Sequence, residues 1–220
     1  MHSWILHLLF PPRCTLCRGF LRSNETDFCH RCRLDAPEFI KSKRNIPFVA
    51  QWTAIWYYKD DVRGSIHRFK FRNARRYADP YGRMLASRIL RDRLDDVDLI
   101  SWVPVSRLRK FFRGYDQGQL LAIALGNELH RAPVQVLYKK RHTKPQSSIF
   151  GAPQRRANIL GAYRICCPEQ IQGKRILLLD DVITTGATCS ECARMLMTAG
   201  AKEVLCAAVS AASHDKKQTV

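Results

Sequence analysis

Residues 174–188 read KRILLLDDVITTGAT, and this run constrains the fold more than any other in the chain. The four aliphatic residues at 176–179 predict a buried parallel strand, because a strand covered on both faces needs no polar alternation. Asp180 and Asp181 follow at its carboxyl end, where open α/β sheets bind their ligands. Thr184, Thr185, Gly186, Ala187 and Thr188 then turn into a helix expected to begin near Cys189. Backbone N–H groups, hydroxyls and the positive helix end converge there on one anion. A 5′-phosphate suits that turn, and the two carboxylates suit ribose hydroxyls. An acidic strand end before an ordinary Thr-capped helix is the competing reading, and two adjacent acids followed by TTGAT weigh against it.

The acidic pair and TTGAT after four aliphatics resemble the 5-phosphoribosyl-1-pyrophosphate (PRPP) motif of type I phosphoribosyltransferases. That resemblance implies an α/β fold with a five-stranded parallel core flanked by helices. It also implies that Asp180 and Asp181 contact the ribose hydroxyls, with Mg²⁺ arriving with PRPP, and that residues 184–188 surround the phosphate.

Nine cysteines form a tight amino-terminal set and a scattered remainder. Cys14 and Cys17, then Cys29 and Cys32, are two CxxC knuckles separated by eleven residues, a spacing that can present four thiolates to Zn²⁺. Disulfides are the alternative. An odd cysteine total and the lack of an export signal argue instead for a reducing compartment. His30 is expected to flank this set without ligating. Cys189 and Cys192 read as small buried thiols on the helix after the phosphate turn, with a redox pair as the alternative. Cys166, Cys167 and Cys206 read as core or strand filler.

Lys and Arg number 37 against 19 acids, a formal charge of +18, which points to a polyanionic or phosphate-rich ligand. The cations are dispersed through folded-looking segments, so a basic face of the domain is expected, not a basic tail. Candidate anion contacts are Lys70, Arg72, Arg75, Arg76, Arg109, Lys110, Arg113, Lys139, Lys140, Arg141 and Lys144. Trp52, Trp56 and Tyr57 could stack on bases but are expected in the core. No stretch approaches the roughly 18 apolar residues a spanning helix needs. Residues 4–10 are too short and lack the flanks of a secretory segment, so an amphipathic helix docked on the domain is expected, in a cytoplasmic protein.

The organisation read along the chain is a helix and four-cysteine module over 1–46, one α/β domain over 47–212 and a frayed tail over 213–220. Within the domain, strands are expected at 52–58, 98–103 and 204–209, and helices at 61–71, 77–93, 117–129 and 191–199. Tyr81, Leu85, Ile89 and Leu94 form one apolar stripe expected in the core. Residues 104–110 read as a basic loop. Residues 138–156 are polar and poorly periodic and read as a lid over the ligand.

Three further segments sharpen the picture: VPVS at 103–106 followed by RGYDQ at 113–117, Gln146 in the lid, and RANILG at 156–161. With the cysteine knuckles, their order resembles the ComF family over essentially residues 8–210. The resemblance implies a zinc-ribbon-like amino terminus on a phosphoribosyltransferase-type domain. It also implies a role in natural transformation, handling internalised single-stranded DNA beside a ComF-type helicase and the recombination-mediator machinery. Val105, Ser106 and Arg107 correspond to the pyrophosphate loop, with Arg109, Lys110 and Arg113 alongside. The family usually carries Asn where this chain has Asp116, and a carboxylate loses the amide donor. Two functions follow: a DNA-handling factor with a PRPP site, or an active phosphoribosyltransferase whose acceptor and catalytic residue the sequence does not name.

Overall fold

The computed structural model describes residues 11–40, 44–143 and 151–213. The expectations for residues 4–10, Lys144, Gln146 and residues 214–220 fall outside them. In chain order the elements are α1 (His30–Asp35), β1 (Gln51–Tyr57), α2 (Asp60–Phe71), a 3-10 turn (Arg75–Tyr77), α3 (Ala78–Arg91), β2 (Leu99–Trp102), α4 (Arg107–Arg113) and α5 (Gln117–Glu128). They continue with β3 (Leu137–Lys139), α6 (Ala152–Ile159), β4 (Tyr163–Ile165), a 3-10 turn (Pro168–Gln170), β5 (Arg175–Ile183), α7 (Ala187–Thr198) and β6 (Glu203–Ala211).

Strands β1, β6, β5 and β2 form a parallel sheet in that order, and β3 pairs antiparallel with β4 in a separate ribbon. The expected five-stranded core is therefore a four-stranded one among the described residues. Strand alternation decides which helix covers which face. Leu177 and Leu179 point into a core shared with Ile66 and Phe69 of α2, Leu85 and Ile89 of α3 and Leu121 of α5. Ile176 and Leu178 point the other way, onto Cys189, Cys192 and Leu196 of α7. Every residue from 176 to 179 is buried, which is why the run carries no polar position. The stripe of Tyr81, Leu85, Ile89 and Leu94 is core as expected. Small residues let α3 and α5 approach closely, since a Cβ on Gly82 would lie 2.7 Å from that of Ala124.

The cysteine module is welded to this core. Cys14, Leu16, Phe28 and Cys32 belong to the same buried cluster as Ile55, Trp56 and Tyr81. Ser65 of α2 donates to the Thr15 carbonyl at 2.6 Å, Arg68 donates to the carbonyls of Thr15 and Leu16, and Arg83 of α3 grips Asp27 through two nitrogens at 2.8 and 2.9 Å. The following segment crosses the carboxyl ends of β5 and β6, where Arg44 donates to the carbonyls of Thr184 and Ala212.

Several expectations change. The segment expected as a basic loop at 104–110 is helical from Arg107, because Ser106 caps it by accepting from the Arg109 N–H. The segment expected as one lid takes in the end of β3 and the start of α6. Cys166 is exposed, not core, and its thiol faces the Gln135 carbonyl, whereas Cys206 is buried. Trp56 is core, and Trp52 and Tyr57 are half-buried against Phe39, so none of the three offers a free stacking face.

Candidate functional site

At the carboxyl end of the sheet lies a cavity of about 660 Å³ lined by Asp180, Asp181, Thr184, Thr188, Val105, Arg109, Arg113, Gln117 and Lys139. Residues from β5, the turn after β2, α4, α5 and β3 thus meet where the topology of a parallel sheet places ligands.

Strand β5 runs on to Ile183, so the two carboxylates sit inside the strand and alternate to opposite sides. Asp181 is buried toward α2 and α5, in an ion pair with Lys70 Nζ at 2.7 Å and accepting from Gln117 Nε2 at 2.9 Å. Arg113 in turn donates to Gln117 Oε1. Asp180 accepts the Asp181 N–H at 2.8 Å, and burial with the adjacent Asp181 carboxylate pushes it up to about 7. The pair can therefore hold one proton near neutrality and give it up to a cation or a hydroxyl-bearing ligand.

The turn at 184–188 is tighter than the sequence suggested. Gly186 takes φ +80° and α7 starts directly after it at Ala187, two residues earlier than expected. Only glycine adopts that conformation cheaply. A Cβ here would meet Ile46 at 2.8 Å, so the obstacle is the strap from the amino-terminal module and not the anion space. Thr184 and Thr188 face the cavity, while the Thr185 hydroxyl accepts the Ala187 N–H at 3.4 Å. Gly186 has no side chain to cap α7, so apart from the Ala187 N–H its first-turn N–H groups remain available to an anion.

The opposite wall is cationic. Val105 and Arg109 line the cavity, whereas Arg107 is exposed outside it. Ser106 Oγ lies 2.9 Å from His142 Nδ1, and Arg109 donates to the Thr143 carbonyl at 2.6 Å, which ties the loop to the segment after β3. Lys139 is only 8 % exposed, with its ammonium 5.1 Å from the centre of the Tyr163 ring. Among the described residues no carboxylate lies within ion-pair distance of it. Burial pushes it down to about 8, with Arg109 adding to the depression and Asp180 opposing it. A buried cation without a counter-ion beside an open cavity favours an anionic ligand. Lys70 and Lys139 are thus cavity residues, and not members of an outer basic face. Arg72, Arg75, Arg76, Lys110, Lys140 and Arg141 are exposed.

Asp116 has a role that its lost amide donor did not suggest. It caps α5 by accepting from the N–H groups of Gly118 and Gln119 through one oxygen, and its other oxygen accepts the Val105 N–H at 3.1 Å. Three donors converge on a buried group, and burial still pushes its carboxyl above the ordinary aspartate value. Only a carboxylate offers acceptors in both directions.

Cys14, Cys17, Cys29 and Cys32 place their sulfurs within 4.8 Å of one another. Sulfurs about 2.3 Å from a tetrahedral Zn²⁺ lie roughly 3.8 Å apart. The Cys17–Cys29 separation is 3.7 Å, so the set fits one zinc ion with little movement, and His30 is not part of it.

Two family models span the regions that contain the acid pair, the turn at 184–188 and the four cysteines. Residues 116–219 match the model of the phosphoribosyl transferase domain, and residues 5–44 match that of the double zinc ribbon domain. The DNA utilization protein YhgH of Escherichia coli O6:H1 (strain CFT073) is 30% identical over 200 residues, covering 87% of this chain and 86% of that protein. Competence protein F of Haemophilus influenzae is 28% identical over 216 residues, covering 87% and 93%. Competence protein ComFC of Bacillus subtilis is 24% identical over 212 residues, covering 89% and 82%. Among the described residues no helix is long and apolar enough to cross a membrane.

Proposed function

Because the chain belongs to the family of the DNA utilization protein YhgH and the competence proteins F and ComFC, we propose that it serves DNA uptake by handling internalised single-stranded DNA in the cytoplasm, through a domain that binds PRPP. The observation that carries this reading is the cavity, in which a strand-borne acid pair and a Gly186 phosphate turn face Arg109 and the uncompensated Lys139. The 5′-phosphate sits on residues 184–188, the ribose hydroxyls face Asp180 and Asp181, and the pyrophosphate meets Val105, Ser106, Arg109 and Lys139. Mg²⁺ arriving with PRPP would be held by the acid pair and would neutralise pyrophosphate charge. Zn²⁺ on the four cysteines serves the fold. A ComF-type helicase and the recombination-mediator machinery are the partners that fit this role.

The exposed cations Arg72, Arg75, Arg76, Arg107 and Lys110 exceed what a small phosphorylated substrate needs, and they supply sequence-independent affinity for a strand. If about six phosphates are contacted, affinity falls on the order of a thousandfold between about 50 and 200 mM salt. Fluorescence anisotropy on labelled single strands tests this. A steep salt dependence that reversal of Arg75, Arg76 and Lys110 flattens is expected. The absence of binding at low salt would remove the DNA reading.

A second reading, an active phosphoribosyltransferase, is favoured by one feature. Tyr58, Phe71, Leu108 and Phe112 give the cavity an apolar wall that a flat acceptor base could lie against. Pyrophosphate release in the presence of a nucleobase would select it.

A further inference from the structure

Helix α4 (RLRKFFR) contains no buried residue. Phe111 and Phe112 are 81 % and 79 % exposed, and Leu108 beside them is nearly half exposed. Large aromatic side chains displayed this way on a helix have a cost that folding alone does not explain. The two rings lie edge to face at 5.7 Å. Phe71, at the end of α2, is also exposed and lies under the Arg113 guanidinium at 5.0 Å, so α2 and α4 form one continuous rim. Arg75 joins them by donating to the Gly114 carbonyl at 3.1 Å. The two segments that carry these rings are charged with a single sign, since residues 62–78 and 99–115 contain no Asp or Glu. Phe71, Leu108 and Phe112 also line the mouth of the phosphoribose cavity.

We propose that this rim is a base-stacking platform for single-stranded nucleic acid, with bases on Phe71, Phe111 and Phe112 and phosphates on Arg72, Arg107 and Lys110. The inference rests on the DNA-handling reading above and assigns it a surface. A single strand is the occupant that offers flat apolar faces and a regular anionic backbone together, whereas a duplex hides the faces. The platform runs into the cavity, so a stacked base at its inner end is held beside the ribose-binding carboxylates.

The test is anisotropy of the full chain on a dT20 strand and on an abasic strand of equal length, each over a salt series, with wild type and F111A/F112A. Each stacked base is worth roughly 5- to 150-fold. The variant is therefore expected to lose at least about tenfold on dT20 with an unchanged salt slope, and nothing on the abasic strand. Both side chains are exposed, so its thermal midpoint should match wild type. Equal affinity of wild type and variant on dT20, or an equal loss on the abasic strand, overturns the platform while leaving DNA binding in place. Failure of wild type to bind either strand overturns the DNA reading as well. Binding to vesicles containing phosphatidylserine that F111A/F112A abolishes, with strand binding untouched, would make the rim a membrane contact instead. The single variant F112W adds a direct readout, since its fluorescence should be quenched by dT20 and not by the abasic strand.

Discussion

Replacing Lys70 by methionine should destabilise the protein and make it newly responsive to divalent cations. The Lys70 ammonium lies 2.7 Å from Asp181, with side chains 22% and 5% exposed. Removing one partner of a buried ion pair costs about 3–5 kcal/mol, because the other charge is left unpaired. Two features place this pair below that range. Gln117 still donates to Asp181 at 2.9 Å, and the carboxylate borders an open cavity that water enters. A loss of about 2–3 kcal/mol follows. At about 2–4 °C per kcal/mol for a chain of this size, the thermal midpoint should fall by about 4–12 °C. The double variant K70M/D181N removes both charges of the pair and should recover most of the loss. Mg²⁺ should raise the midpoint of K70M more than that of wild type, because Lys70 no longer competes for the carboxylate. Calorimetry with and without millimolar Mg²⁺ measures all of this. A midpoint for K70M within a degree of wild type, or a double variant less stable than K70M, would refute the reasoning.

PRPP affinity should be highest between pH 7 and 8. Asp180 is anionic only above about 7 and Lys139 is cationic only below about 8, so acid weakens the ribose contact and base weakens the pyrophosphate contact. Titration calorimetry from pH 6 to 9 should show both limbs, with K139R losing the alkaline one. Metal analysis should find about one equivalent of zinc, and chelation should release amide protection in α2 as well as in residues 13–35, because Ser65 and Arg68 hold the Thr15 carbonyl. Protection of α2 that survives chelation would contradict the shared core. Asp116→Asn keeps the α5 cap but turns an amide donor toward the Val105 N–H, which should cost about 1–3 kcal/mol in chemical denaturation. An unchanged midpoint would show that the Val105 contact is dispensable.

The parts of the site that were legible in the sequence are those coded by contiguous residues. Four aliphatics announce a two-sided strand, TTGAT announces a turn into a helix, and two CxxC knuckles announce a metal cage, since each pattern is a local consequence of backbone geometry or ligand spacing. What stayed hidden depends on pairs distant in the chain. Lys70 looked like one more surface cation because nothing local marks its partner 111 positions away in Asp181. Lys139 sat in a segment without clear periodicity, and a three-residue strand is too short to show one. The role of Asp116 required knowing that the loop after β2 folds back onto the start of α5. The obstacle at Gly186 comes from Ile46, at the far end of the segment assigned to the amino-terminal module, 140 positions away in the chain. The platform on α4 was missed for a simpler reason: its helix was read as a loop, and exposure of adjacent phenylalanines follows only once that helix is seen to bury nothing.

The central claim is that the cavity at the end of β5 binds PRPP through Asp180, Asp181 and the turn at 184–188. The most direct measurement is titration of PRPP with Mg²⁺ into the zinc-loaded chain and into D180N/D181N, with pyrophosphate release followed in parallel with and without a single strand. The account predicts saturable binding of one equivalent to the wild type, and its loss in the variant with zinc retained. Equal binding by both proteins, or none by the wild type, would contradict it.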